Sequence, residues 1–123
     1  MATLNNRVFD SGLGVLDTEA SRIDVCSQEP TTYAEATSTY TLGNSTSLSG
    51  AAPSDRSGGG REVVFAAITD GSITGTGTAT HYSISDVSNS RLLVTGSLSA
   101  SQSVTNGNSF TGASFAVGIP DPS

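Results

Sequence analysis

Over residues 72–85 the sequence is written with a period of two, and that period most restricts what the chain can fold into. Residues 72–85 place Thr74, Thr76, Thr78, Thr80 and Tyr82 on one parity and Gly75, Gly77 and Ala79 on the other. Alternation of this kind is the mark of a strand, not of a helix. Small residues along a whole parity imply that another backbone or sheet comes close there. Residues 62–69 (EVVFAAIT) are apolar on both parities, which predicts a central, buried strand. Asp70-Gly71 and Asn106-Gly107 read as two-residue hairpin turns, and residues 86–90 read as a further turn. Residues 91–98, 103–105 and 109–119 complete the meander, with Phe115, Val117 and Ile119 on one face. Pro120 and Pro122 end pairing, because proline cannot donate to a ladder.

The first half is less regular. Leu13, Leu16 and Ala20 recur at three and four, a short helical face for which Asp10 or Ser11 is the expected N-cap. Arg22–Cys26 alternates like a half-buried strand. Residues 33–41 fit either a helical turn, through Tyr33, Ala34 and Ala36, or a strand, through Thr39, Tyr40 and Leu42. Residues 43–60, rich in Ser and Gly, read as a long loop, exposed and either mobile or engaged with a partner, in which Leu48 has room for one brief strand. The expectation is an all-β protein: an antiparallel β-sandwich or barrel with a short N-terminal helix and an extended N-terminal arm. Residues 1–20 form the arm and helix, and 21–123 form one β domain.

Composition excludes several functions. With five arginines, no lysine and a net charge of -6, the chain cannot neutralise many phosphates, so no nucleic-acid partner is expected. Its apolar runs are a few residues long, against about 20 for a membrane helix, so no membrane partner is expected either. Residues 1–10 lack the apolar stretch of a secretory signal. Cys26 is the only cysteine, which leaves no disulfide framework and no thiolate metal cluster.

Candidate chemistry is thin. His81 is the single histidine, and a triad would need it beside a serine and a carboxylate. Asp70, Asp86 and Asp121 sit at expected turns or ends, where aspartates usually bond nearby backbone. The acidic series Asp17, Glu19, Asp24, Glu29 and Glu35 lacks the spacing of a calcium loop. Gly58-Gly59-Gly60-Arg61 lacks the Gly-Lys-Ser/Thr that completes a phosphate loop. Cys26, without a cationic neighbour in sequence, reads as a buried structural thiol. No cofactor, no metal and no enzyme activity are expected. In the arm, Leu4 and Val8 are apolar residues without a local partner, and Asn5, Asn6 and Arg7 between them can bond a neighbour's backbone. These five are the candidate partner-binding residues, acting by strand addition to a sheet edge.

Residues 22–43 (RIDVCSQEPTTYAEATSTYTLG), 69–86 (TDGSITGTGTATHYSISD), 91–110 (RLLVTGSLSASQSVTNGNSF) and the tail Ile119-Pro120-Asp121-Pro122 together resemble small virion structural proteins of tailed bacteriophages. In character the chain is most similar to a capsid decoration, or cement, protein. That resemblance implies a β-rich fold, a place on the capsid surface after synthesis in the host cytoplasm, and the major capsid protein as partner. It also implies a homo-oligomer, a trimer at the symmetry axes of the head. The rival expectations are a tail or fibre component that binds host glycan, and a small hydrolase using His81.

Overall fold

The structure is a computed structural model that describes residues 3–4, 13–46, 48–55, 61–112 and 114–119. The fold is all-β, as expected. Strands β1 (Thr3–Leu4), β8 (Arg91–Val104), β7 (Gly77–Asp86), β2 (Arg22–Cys26), β3 (Thr41–Ser45), β6 (Ile68–Ile73) and β9 (Ser109–Gly112) form a seven-stranded sheet in that spatial order. A smaller sheet has the order β10 (Phe115–Ile119), β5 (Arg61–Phe65), β4 (Ser54–Asp55). Every pairing is antiparallel.

The core lies between the sheets. Val63 and Phe65 of β5 and Val117 of β10 meet Ile23, Ile84 and Val94 of the large sheet. Phe65 stacks on Phe115 with ring centroids 5.2 Å apart, and Phe115 meets Tyr82 at 5.6 Å. Helix α1 (Gly14–Glu19) adds Leu13 and Leu16, the face anticipated from their spacing, while Ala20 packs alongside. Its N-cap is Leu13, which supplies no side-chain bond; Asp10 and Ser11 lie outside the described residues.

Several local expectations are corrected. Asp70-Gly71 is not a hairpin turn, because both residues lie within β6, whose pairing with β9 is irregular between Ile68 and Gly71. The chain turns earlier, at Ala66-Ala67, as it crosses from the small sheet to the large one. Gly71 serves packing instead: a Cβ there would run into the Phe110 ring. β5 is central in its sheet, yet only one of its faces is buried, since Val64 is 36% exposed. Residues 72–85 are not one strand. They break after Ile73, where the amides of Thr74 and Gly75 both donate to the Leu42 carbonyl.

Residues 103–105 are not a separate strand, because β8 runs on to Val104. Asn106-Gly107 is a turn but joins no hairpin, because β8 pairs with β7 and β1 while β9 pairs with β6 at the far end of the sheet; positive φ occurs within it only at Gly107 (96°), the type II pattern and not type I′. The turn after Asp86 is as expected, closed by Ser90 N–H on the Val87 carbonyl. Residues 33–39 follow the helical reading, and Thr39 and Tyr40, read also as strand, lie outside β3. A helical turn becomes a π-helix over Glu35–Thr39, closed by Tyr40 N–H on the Glu35 carbonyl at 2.8 Å, and β3 begins at once. The 43–60 segment is not uniformly exposed. Gly43 and Ser45 are buried in β3, Leu48 packs on the core, and Gly50 bridges to Phe65.

Candidate functional site

Cross-strand register places side chains in rows. Ser45, Ile23, Ile84 and Val94 form one row, and Gly43, Val25, Tyr82 and Gly96 form another. Ile23, Ile84, Val94 and Tyr82 turn these rows to the core. Between them runs Asn44, Asp24, Ser83 and Thr95, on the opposite face by the alternation of strands. This polar face is nonetheless buried: Asp24, Ser83, Ser85, Thr95 and Cys26 are each 0% exposed, and for Cys26 that agrees with its reading as a buried thiol.

The cover is the β2–β3 connection, residues 27–40, which folds back over the sheet. It is started by a device of sequence type T-x-x-E. Glu35 N–H donates to Thr32 Oγ1, while Glu35 Oε1 accepts from Thr31 N–H and Thr31 Oγ1, both at 2.8 Å. This is close to a capping box. The Thr31 bonds, from its amide first and then its hydroxyl, hold the Glu35 carboxyl below its ordinary range. Pro30 and Ala36 are buried in the cover, and Glu29 Oε2 accepts from Thr95 Oγ1 at 3.0 Å.

Asp24 is fully engaged. Arg22 donates Nε to Oδ1 and Nη2 to Oδ2, each at 2.8 Å, and Thr41 Oγ1 donates to Oδ2 at 2.7 Å. Arg22 Nη2 also reaches the Thr37 carbonyl, at 3.5 Å, so the ion pair ties sheet to cover. The Asp24 hydrogen bond raises the Arg22 pKa still further. Three donors converge on this one carboxylate, and together they lock the sheet to its cover.

Cys26 points under the same cover, 3.8 Å from the Ala36 carbonyl and 3.9 Å from Ser83 Oγ. Burial pushes its thiol up to about 11. The thiolate is the nucleophile, so Cys26 is expected to resist a disulfide reagent such as DTNB at pH 8 in the folded protein and to react fully in denaturant. The raised pKa favours the folded state below the ordinary thiol pKa near 9, and this contribution is lost as pH climbs from there toward 11. Rapid labelling of native protein at pH 8 contradicts this placement.

His81 is not built into a triad among the described residues. Its Nδ1 lies 2.9 Å from Thr80 Oγ1, and Thr80 Oγ1 donates to the Ser27 carbonyl at 2.9 Å. The threonine has one proton to give, so His81 Nδ1 is the donor in the first contact. A hydroxyl, not a carboxylate, therefore orients the ring. The aspartates are also apart: Asp70 accepts from Ser45 Oγ, and Asp86 accepts from Asn89 Nδ2 within its own turn. Asp121 lies outside the described residues. Among the described residues no three His, Cys, Asp or Glu side chains come together as a metal site.

The arm gives a different picture from a free tether. Thr3 and Leu4 pair with Thr95 and Val94, so β1 is the outermost strand of the chain's own large sheet. Asn5, Asn6, Arg7 and Val8 lie outside the described residues. Beside this edge a cavity of about 440 Å³ opens between residues 29–33 and 90–94. No family model, no curated protein and no solved structure matches the chain.

Proposed function

We propose that the chain is a non-enzymatic structural protein of a bacteriophage virion that binds the capsid exterior and stabilises the head as a decoration protein. The sequence resemblance supports this reading. The observation that carries it is the arm strand β1, laid along the outer edge of the sheet beside Val94 and Thr95. An arm at a sheet edge is where backbone pairing with another protein gives affinity and register. The partner is the major capsid protein, met through Leu4, Asn5, Asn6, Arg7 and Val8, and the chain also binds itself as a trimer. A protein that binds the mature shell and not its free subunits adds its binding energy to shell stability by mass action. Such a role needs area and symmetry and no reactive group, in keeping with an Asp24 and a Cys26 committed to holding the cover.

Co-sedimentation with undecorated heads tests the reading. Deleting residues 2–9 is expected to weaken binding at least tenfold. The triple substitution Asn5→Ala, Asn6→Ala and Arg7→Ala, which leaves Thr3–Leu4 intact, is expected to weaken it in the same direction. Unchanged affinity in both variants removes the arm as the attachment device, and failure of the intact protein to bind heads removes the decoration role.

A further inference from the structure

Residues 92–120 contain no charged residue, in a chain whose net charge is -6. They supply β9, β10 and all of β8 but its first residue, Arg91, and these strands border an open trough of about 730 Å³. Ile68, Ile73, Tyr82, Phe110 and Phe115 line it, and no charged side chain does so among the described residues. A wide bulge shapes one side. Ala79 pairs with Gln102 and His81 with Ser97, so two steps along β7 match five along β8. Leu98 and Ser99, within that bulge, stand at the trough, with Thr111 and Ser114 among the other lining residues.

We propose that this uncharged trough is the face through which copies of the chain meet, each neighbour covering the trough of the next. The charge distribution selects this occupant. Two molecules at -6 repel wherever their carboxylates approach, and every acidic residue except Asp121 lies before residue 92. A basic partner would choose the acidic surface; a second acidic copy must choose the surface free of it. The lining has the character of an interface centre, with Tyr and Phe present and charge absent. Covering it buries half-exposed Tyr82, Phe110 and Phe115 and strands no ion. A domain with a core this small gains from such burial. The inference rests on the homo-oligomer part of the proposed function and is independent of the capsid part.

Sedimentation velocity of the intact chain over a range of concentrations is the test. Ser99→Glu with Thr111→Glu places carboxylates on two exposed lining positions without touching the core. The pair is expected to raise the dissociation constant at least tenfold at low salt, with part of the loss recovered in 0.5 M salt as the repulsion is screened. Ser114→Glu alone is expected to act in the same direction. Ser88→Glu, in the exposed 87–90 turn, is expected to leave association unchanged, and circular dichroism checks that each variant is folded. If the trough variants associate like the unaltered chain, copies meet elsewhere: the proposal is overturned and the oligomer survives. If the unaltered chain is a monomer throughout, the oligomer itself falls. If the neutral dye N-phenyl-1-naphthylamine binds the oligomer at one per chain and the Ser99/Thr111 pair abolishes dye binding, the trough is a small-molecule site and the proposal is overturned.

Discussion

Asp24→Ala is expected to lower folding stability by about 2–4 kcal/mol, a large share of the total for a domain this size. Three donors converge on the two oxygens of this side chain, which is 0% exposed. Truncation leaves Arg22 without its counter-charge and Thr41 Oγ1 with only the longer bond to the Gly43 carbonyl, at 3.2 Å. Arg22 itself is 20% exposed and can turn partly to water, which keeps the cost toward the lower end of the range for a fully buried pair. Asp24→Asn is not a mild substitute, because an amide offers one acceptor oxygen where the donors need two. Urea unfolding measures the loss. The double variant Arg22→Met with Asp24→Leu is expected to recover about 1–3 kcal/mol of it, since removing both partners strands neither. Equal stability of Asp24→Ala and the unaltered chain contradicts the buried ion pair outright.

Gly43→Ala is expected to cost about 2–3 kcal/mol by forcing bulk into a closed seam. Gly43 pairs with Val25 on one side and Ile73 on the other. A Cβ at this position would lie 2.6 Å from the Ser72 carbonyl oxygen and 2.8 Å from Ile73 Cδ1. The nearer atom is backbone and cannot swing aside, so β3 and β6 would have to separate. Gly107→Ala would introduce a different strain, from its φ of 96° and not from crowding. A chemical-denaturation midpoint for Gly43→Ala at or above that of the unaltered chain contradicts the close approach.

These two residues also mark how far the sequence could be read. The period of two, the small residues at Gly77 and Ala79, the helical face of Leu13 and Leu16 and the turn after Asp86 were legible because each rests on local geometry. Gly77 does face a close neighbour, with Leu42 3.2 Å from where a Cβ would stand, and Ala79 is 1% exposed. The tightest seams, at Gly43, Gly71 and Gly96, were not legible. They depend on which distant strand arrives, and single glycines carry no period. Asp70-Gly71 misled for a related reason: glycine suits a turn and a ring contact equally, and Phe110 decided between them.

The burial of Asp24 was hidden because Arg22–Cys26 alternates like a half-buried strand. Arg22 and Asp24 look like surface residues until a cover is laid over them. One local signal was available, the T-x-x-E of Thr32 to Glu35, which starts the turn that forms the cover. The sequence reads Leu4 as an apolar residue without a local partner; the pairing of Thr3 and Leu4 with Thr95 and Val94 of the chain's own β8 is a long-range contact that no local pattern contains.

The folded-back connection between β2 and β3 also changes where the chain can be engineered. In an ordinary hairpin the stretch joining two strands projects past the sheet, and extra residues or a fused peptide are tolerated there. Here the joining stretch roofs Asp24, Cys26 and Thr95, so lengthening it would lift the roof off a charged pair. The permissive place is the 87–90 turn, whose four residues are all exposed. A label or affinity tag belongs there, between β7 and β8, and not in the longer segment that looks more accommodating.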